Sequence, residues 1–422
     1  MSSSGEALAR TLPSPAPADA QPAAAVRPPD VPLALVALLT FSGTFAMHIF
    51  VPALPSAAAD LFVGPSSMQL TISLYILGLA VGQLIYGPVS DRFGRRPTLM
   101  VGLAIYAAAG LAAAFAGNIH VLIVARLLQA FGGCAGLVLG RAIVRDTAGP
   151  ENAARRLALL NLMVTLGPGM APLAGALLAG VAGWRAIFLV LTGLGVVNLL
   201  LTWRLLPETA VPAAGGGGAV ARNYRRLMLS PAFLGFAIGG GCATTSMYAF
   251  IAAAPFIFVE ELHLPAGQVG SCLAVLILGV WVGSVLASRL VGRMPIRRLL
   301  VGANAISVVA ALLLLVTVVT GHLSVVLAVG LMFVFTLGVG TAAPAALTEA
   351  VSVDPHVIGS ASGLYGFSQM AVGALCTSLV GLGSNPALAA AVVLTGAGVV
   401  AQLAFLVAAR FEGRATHAKA IA

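Results

Sequence analysis

Two ionisable side chains lie inside stretches of this chain that are otherwise apolar. Arg126 stands in VARLLQAFGGCAGLVLGRAIVRD, about seven residues from one end of the run and roughly 10 Å deep at a helical rise of 1.5 Å per residue. A guanidinium at that depth is costly unless it faces a cavity or a partner, which marks it as a site. Gln129, one turn along, shares its face. His48, in TFAMHIFVPALP, lies about six residues from the end of its own run, roughly 9 Å deep. It is the one group inside a span that titrates near neutral pH, and reads either as a proton carrier or as a satisfied polar residue. Tyr75, Asn161, Tyr248, Trp281, Tyr365 and Gln369 are polar or amphipathic side chains in apolar helices. They read either as cavity lining or as packing and interface belt.

A second cluster is the loop Gly87–Leu99, GPVSDRFGRRPTL. Gly87, Pro88, Gly94 and Pro97 suit a tight reversal between two apolar runs, because glycine tolerates positive φ and proline cannot continue a helix. Asp91 stands there against Arg92, Arg95 and Arg96, and arginine-rich loops stay on the cytoplasmic side.

The elements that hold these residues follow from composition. The chain has 422 residues, 59% of them hydrophobic and 8% charged, against about 25% charged in a soluble domain. Apolar runs of bilayer-spanning length recur, and they lack the alternation of a β-barrel, so they are helices. Twelve spans are expected, near 32–52, 69–90, 98–116, 119–141, 157–181, 186–205, 232–258, 268–290, 298–319, 323–348, 358–382 and 387–409. The net charge of +9 records topology rather than nucleic-acid binding: apart from Arg126 and an outer-loop Arg185, the basic residues fall in the tails and inner loops. Glu349–His356 is the one inner loop with acids and no arginine.

Pro207–Ser230 divides the spans six and six and carries Arg222, Arg225 and Arg226 on one helical face, suiting either a lipid-touching surface helix or a flexible linker. The second half repeats the arginine loop weakly in GSVLASRLVGRMPIRRLLVG, as paired repeats of secondary transporters do. The expected order is a disordered tail over 1–31, bundles over 32–206 and 231–410 joined by a linker over 207–230, and a tail over 411–422. Both termini are expected in the cytoplasm. Gly132, Gly136 and Gly140 recur at four-residue spacing and admit a neighbouring helix. Gly167, Pro168, Pro172 and Gly175 should bend or break the fifth span. The four cysteines lie singly in apolar helices as packing residues, and no metal or cofactor is expected.

The spacing of Gly87, Asp91, Arg92, Gly94, Arg95 and Arg96 resembles the signature loop of the major facilitator superfamily between its second and third transmembrane helices. Over nearly all of residues 35–410 the chain is similar to the Bcr/CflA drug-resistance branch of drug:proton antiporters. The resemblance rests on PALP (Pro52–Pro55), Arg126 with Gln129, RAIVRD (Arg141–Asp146), APLAG (Ala171–Gly175), GWRAIF (Gly183–Phe188), LPET (Leu206–Thr209), APF (Ala254–Phe256) and GSASGLYG (Gly359–Gly366). It implies an all-α fold of two pseudo-symmetric six-helix bundles, alternating access, proton-driven export, and Arg126 in a cavity between the halves. It further implies that Asp91 meets the start of the eleventh helix near Gly359, and that Arg95 pairs with Asp146. Related sequences usually carry an acid at the position of His48, so the proton carrier here is His48 itself, or Asp91 and Asp146.

The expectation is therefore an inner-membrane exporter of small, partly apolar molecules, acting as a monomer in the lipid bilayer with protons as co-substrate. A transporter of one specific metabolite, an anion drawn by Arg126 and His48, is the alternative. An enzyme would need clustered His, Asp or Glu on a common cavity, and none is visible.

Overall fold

Proline and glycine set the breaks between helices in the computed structural model, which describes residues 31–148, 150–209, 218–354 and 357–421. The N-terminal half comprises α1 (Leu33–His48), α2 (Leu54–Asp60), α3 (Pro65–Phe93), α4 (Arg95–Ala114), α5 (Ile119–Thr147), α6 (Pro150–Ala182) and α7 (Trp184–Leu205). The connecting helix α8 (Gly218–Met228) leads to α9 (Pro231–Thr245), α10 (Met247–Phe256), α11 (Ala266–Leu290), α12 (Ile296–Val319), α13 (Val325–Ser352), α14 (Ile358–Gly381) and α15 (Pro386–Ile421). No strand occurs among the described residues. Eleven helical segments are long and apolar enough to cross a bilayer, and α6 supplies the twelfth, with Gly167–Ala182 as its described apolar part.

Two spans differ from a single rod. The first stops at His48, passes through a 3₁₀ turn at Val51–Ala53 and resumes as α2. Pro52 and Pro55 each sit in a first turn, where the missing N–H costs nothing. The seventh is α9 and α10 end to end, closed by a π turn at Ile257–Glu261. By contrast, the expected break in the fifth span is absent: α6 runs through both Pro168 and Pro172. Within a membrane, neighbouring helices keep such a segment helical despite the lost donors. The backbone over 411–421 continues α15, while tail residues 1–30 and linker residues 210–217 lie outside the described residues.

Helix starts are capped by side chains. Asn118 Oδ1 accepts from the N–H of Val121, and the hydroxyls of Ser230 and Ser324 accept from Phe233 and Leu327. In the first half α5 is the central helix, and its glycine stripe is a contact surface. A Cβ on Gly132 would stand 2.5 Å from the Gly102 carbonyl oxygen of α4, and one on Gly136 would strike the Leu39 carbonyl of α1. Between the halves, α3 lies along α14 and α6 along α11.

The charged ends are tied together. At the arginine-rich end, the loop that carried only acids finds its partners elsewhere. Arg297 Nε donates to Glu349 Oε2 at 3.2 Å, and Arg226 Nη2 of α8 pairs with Asp354 Oδ2 at 3.0 Å. At the opposite end Asp60 pairs with Arg185 and accepts from Trp184 Nε1, while Glu261 Oε1 accepts the N–H of Ala387 that opens α15. Cys134, Cys242 and Cys376 are buried free thiols and Cys272 is half-buried.

Candidate functional site

Arg126 is the largest fully buried side chain among the described residues. Its Nη1 donates to the Ala46 carbonyl of α1 at 3.1 Å and to Gln129 Oε1 at 2.8 Å, which brings the expected pair together on one turn of α5. Three rings surround the charge, with centroids 4.0 Å (Tyr75), 5.6 Å (Phe50) and 5.7 Å (Phe188) from the guanidinium carbon. Ring faces are negative and stabilise a cation where water is absent. The Tyr75 hydroxyl is itself satisfied, donating to the Gly43 carbonyl at 2.9 Å. Phe50 and Phe188 escaped the sequence reading because an aromatic residue in an apolar helix carries no local mark of its neighbours.

His48 is buried at the end of α1, with Nδ1 3.0 Å from the Thr44 carbonyl oxygen, a contact that places the ring proton on Nδ1. Its ring lies 5.9 Å from that of Tyr248 on α10, so His48 sits where the halves meet. On the second half Gln369 Nε2 donates to Thr244 Oγ1 at 2.7 Å, and Thr245 Oγ1 donates to the Gln369 carbonyl at 2.7 Å. Tyr365, buried one turn earlier on α14, packs against Gly240 of α9. Trp281 departs from this group. It is 42% exposed on α11 with Leu278, Val282 and Val285, and does not line the cavity that Asp91 and Gly359 share. The Asn161 side chain lies outside the described residues.

At the arginine-rich end the expected ion pair is present. Arg95 Nε donates to Asp146 Oδ2 at 3.0 Å, and its Nη1 reaches Asp91 Oδ1 at 2.5 Å and Ser90 Oγ at 2.6 Å. One guanidinium thus ties α4 to both α3 and the end of α5. Arg96 Nη2 donates to the Trp203 carbonyl at 2.6 Å, whereas Arg92 is exposed over the Phe93 ring, away from this network. Gly94 has φ +94°, in the region that glycine alone enters freely.

Among the described residues the Asp91 carboxylate is bonded to Arg95 and not to Gly359. Asp91 and Gly359 line the same cavity of about 310 Å³, with Gln83, Arg95, Arg141, Arg145, Tyr224 and Gly363 also on its wall. The cavity lies between the expected carboxylate and helix start, beside a contact of α3 with α14 at Gln83 and Gly366. Burial, and then the nearby charge of Asp91, raise the Tyr224 phenol above its ordinary pKa. Nearer the opposite end the halves are in contact: Gly270 of α11 packs on Pro172 and Ala176 of α6, and Gly381 of α14 on Ser66 and Gln69 of α3. Gly167 faces Phe41 and Thr44, and Gly175 faces the Ile49 carbonyl, so the proline–glycine segment of α6 serves as a seat for α1.

The family model of the Major Facilitator Superfamily matches residues 36–377. Over 380 residues, 88% of this chain and 93% of the relative, the sequence is 31% identical to an uncharacterized MFS-type transporter, YdgK, of Bacillus subtilis. It is 27% identical over 348 residues to a bicyclomycin resistance protein homolog of Haemophilus influenzae, covering 81% of this chain and 87% of that one. It is 32% identical over 334 residues to a chloramphenicol resistance protein of Pseudomonas aeruginosa, covering 76% and 77%. Among solved structures a D-xylose–proton symporter shares the fold, with a TM-score of 0.72 at 13% identity over 90% of this chain and 97% of that chain. The chain belongs to the major facilitator superfamily, in the branch that holds these drug-resistance proteins.

Proposed function

We propose that this protein exports small, partly apolar molecules from the cytoplasm in exchange for protons, by alternating access across a bacterial inner membrane. The observation that carries the reading is the cavity at the arginine-rich end, walled by both halves, opposite an end where the halves are in contact. Positive-inside topology makes that end cytoplasmic, with both termini there. The cavity then opens inward, ready to load. Arg126, Gln129, His48, Tyr75, Tyr248, Tyr365 and Gln369 border or support the passage, while Asp91, Gly94, Arg95, Arg96, Asp146 and Gly359 form the inner gate. The protein acts as a monomer, each bundle rocking as one body.

Inverted membrane vesicles test this directly. A panel of dyes and antibiotics should accumulate inside them when they are acidified, and a protonophore should abolish the accumulation. A well-inserted protein that moves none of the panel under any gradient overturns the export reading. His48→Ala with an unaltered pH profile takes His48 out of the proton path and leaves Asp91 and Asp146. A second reading, transport of an anionic metabolite, is favoured by one specific fact: among the described residues no carboxylate pairs with Arg126.

A further inference from the structure

The wall of the inner cavity is unevenly charged. Arg95, Arg141 and Arg145 lie on it, and Asp91 is the one acid there among the described residues. Asp91 is held by Arg95, so its charge is already answered. Even with Asp146, the second carboxylate on Arg95, three guanidiniums stand against two carboxylates. Arg141 and Arg145 are four residues apart on α5, a spacing that turns both to one face of the helix. Both are exposed, and neither enters an ion pair among the described residues. Gly359 and Ser360 bring the first turn of α14 to the same wall, and no described side chain caps that helix. Its open N–H groups add the positive end of a dipole.

A cleft lined by one sign of charge concentrates its field and depletes ions of that sign. We propose that Arg141 and Arg145 set the charge selectivity of this vestibule: they turn away organic cations, and the cargo carries no net positive charge. The two guanidiniums act before a molecule reaches Arg126, where again no described carboxylate stands. An uncharged, partly apolar molecule meets no such barrier. The inference rests on the reading of this cavity as the loading mouth, and adds to it two residues that decide what may enter.

Ser362, exposed on the same wall, serves as the reporter position. In the purified full-length protein, Ser362→Cys is reacted with trimethylammonioethyl methanethiosulfonate, a permanent cation. It is also reacted with the uncharged isostere that carries a tert-butyl group in place of the trimethylammonium. Each reagent forms a disulfide with the thiolate and releases methanesulfinate, so intact mass follows the reaction. The parent protein, with its own cysteines buried or half-buried, supplies the background. Relative to the same two reagents on free mercaptoethanol, the cation should be slowed roughly fivefold. Replacing both arginines (Arg141→Gln with Arg145→Gln) should bring the ratio back to that of the free thiol. Salt at roughly 0.5 M should do the same, because exposed charges are screened. Arg222→Gln, exposed on α8 and off the cavity wall, should leave the ratio unchanged. If the double variant does not fold, each single variant and the salt titration decide. An unslowed cation, a cysteine that neither reagent reaches, or a ratio indifferent to the arginines overturns the proposal. Ethidium accumulating in inverted vesicles overturns it as well. Vesicles that move no dye of any charge overturn the export reading instead, and the cysteine ratio still decides the filter.

Discussion

The carboxylate of Glu208 closes on the backbone of Arg95: its Oε1 accepts the Arg95 N–H at 2.7 Å, and its Oε2 accepts the Arg96 N–H at 3.2 Å. The acid of the LPET segment therefore caps a helix that begins more than a hundred residues earlier, and stabilises the positive end of its dipole. Glu208→Ala should lower stability by about 1 kcal/mol, the usual worth of a cap. Gly94→Ala should cost more. A Cβ there would stand 2.5 Å from Glu208 Oε2 on a backbone already at positive φ. Thermal midpoints of both single variants and of the double variant check this: removing Glu208 should recover the steric part of the Gly94 penalty and leave the backbone part.

Arg95 and Asp146 form a partly buried pair, which makes their contributions interdependent. Arg95→Ala and Asp146→Ala should each slow transport, and the double variant should be no slower than the worse single one. Rates in vesicles carrying equal amounts of protein would measure the coupling. Simple additivity would assign the two residues separate tasks.

The contact between α3 and α14 offers a rescue experiment. Gln83 Oε1 lies against Gly366, so a methyl group at that glycine must displace the end of the Gln83 side chain. Gly366→Ala should impair transport by pushing the Gln83 amide into the cavity that it lines, because an added methyl displaces whatever it meets. Gln83→Ala should restore most of the activity in the Gly366→Ala background. Failure of the rescue with full insertion would mean that Gln83 serves the passage itself.

The Arg226–Asp354 pair has one exposed and one mostly buried partner, so it contributes little to global stability but holds α8 locally. Asp354→Asn should leave the thermal midpoint within about 1 °C of wild type. It should also raise the rate of tryptic cleavage at Arg222 and Arg225 several-fold. Time-resolved proteolysis followed by mass spectrometry would show it.

Much of this architecture was legible in the residues. The apolar runs located the spans, but the reversal expected over Gly87–Leu99 narrows to Gly94 alone, because α3 continues through Gly87 and Pro88 to Phe93 and α4 begins at Arg95. Local sequence carried less about partners. Glu349 and Asp354 looked like a violation of the charge pattern until Arg297 and Arg226 were seen beside them. Trp281 had the composition of a cavity residue and proves exposed rather than buried, because side-chain type does not say which face of a wholly apolar helix is packed. The prolines of α6 implied a break, but the neighbours that keep the helix whole are contributed by α1 and α11. The aromatic box around Arg126 is assembled from three elements and has no local signature.

Every ion pair formed among the described residues stays within one half or fastens α8 to the second. Tilting one bundle against the other therefore ruptures none of these electrostatic clasps, and proceeds by sliding glycine-lined, largely uncharged surfaces past one another. Such a seesaw should turn over at a pace nearly indifferent to ionic strength, and its fatigue points should be sought in lost smoothness rather than in lost charge.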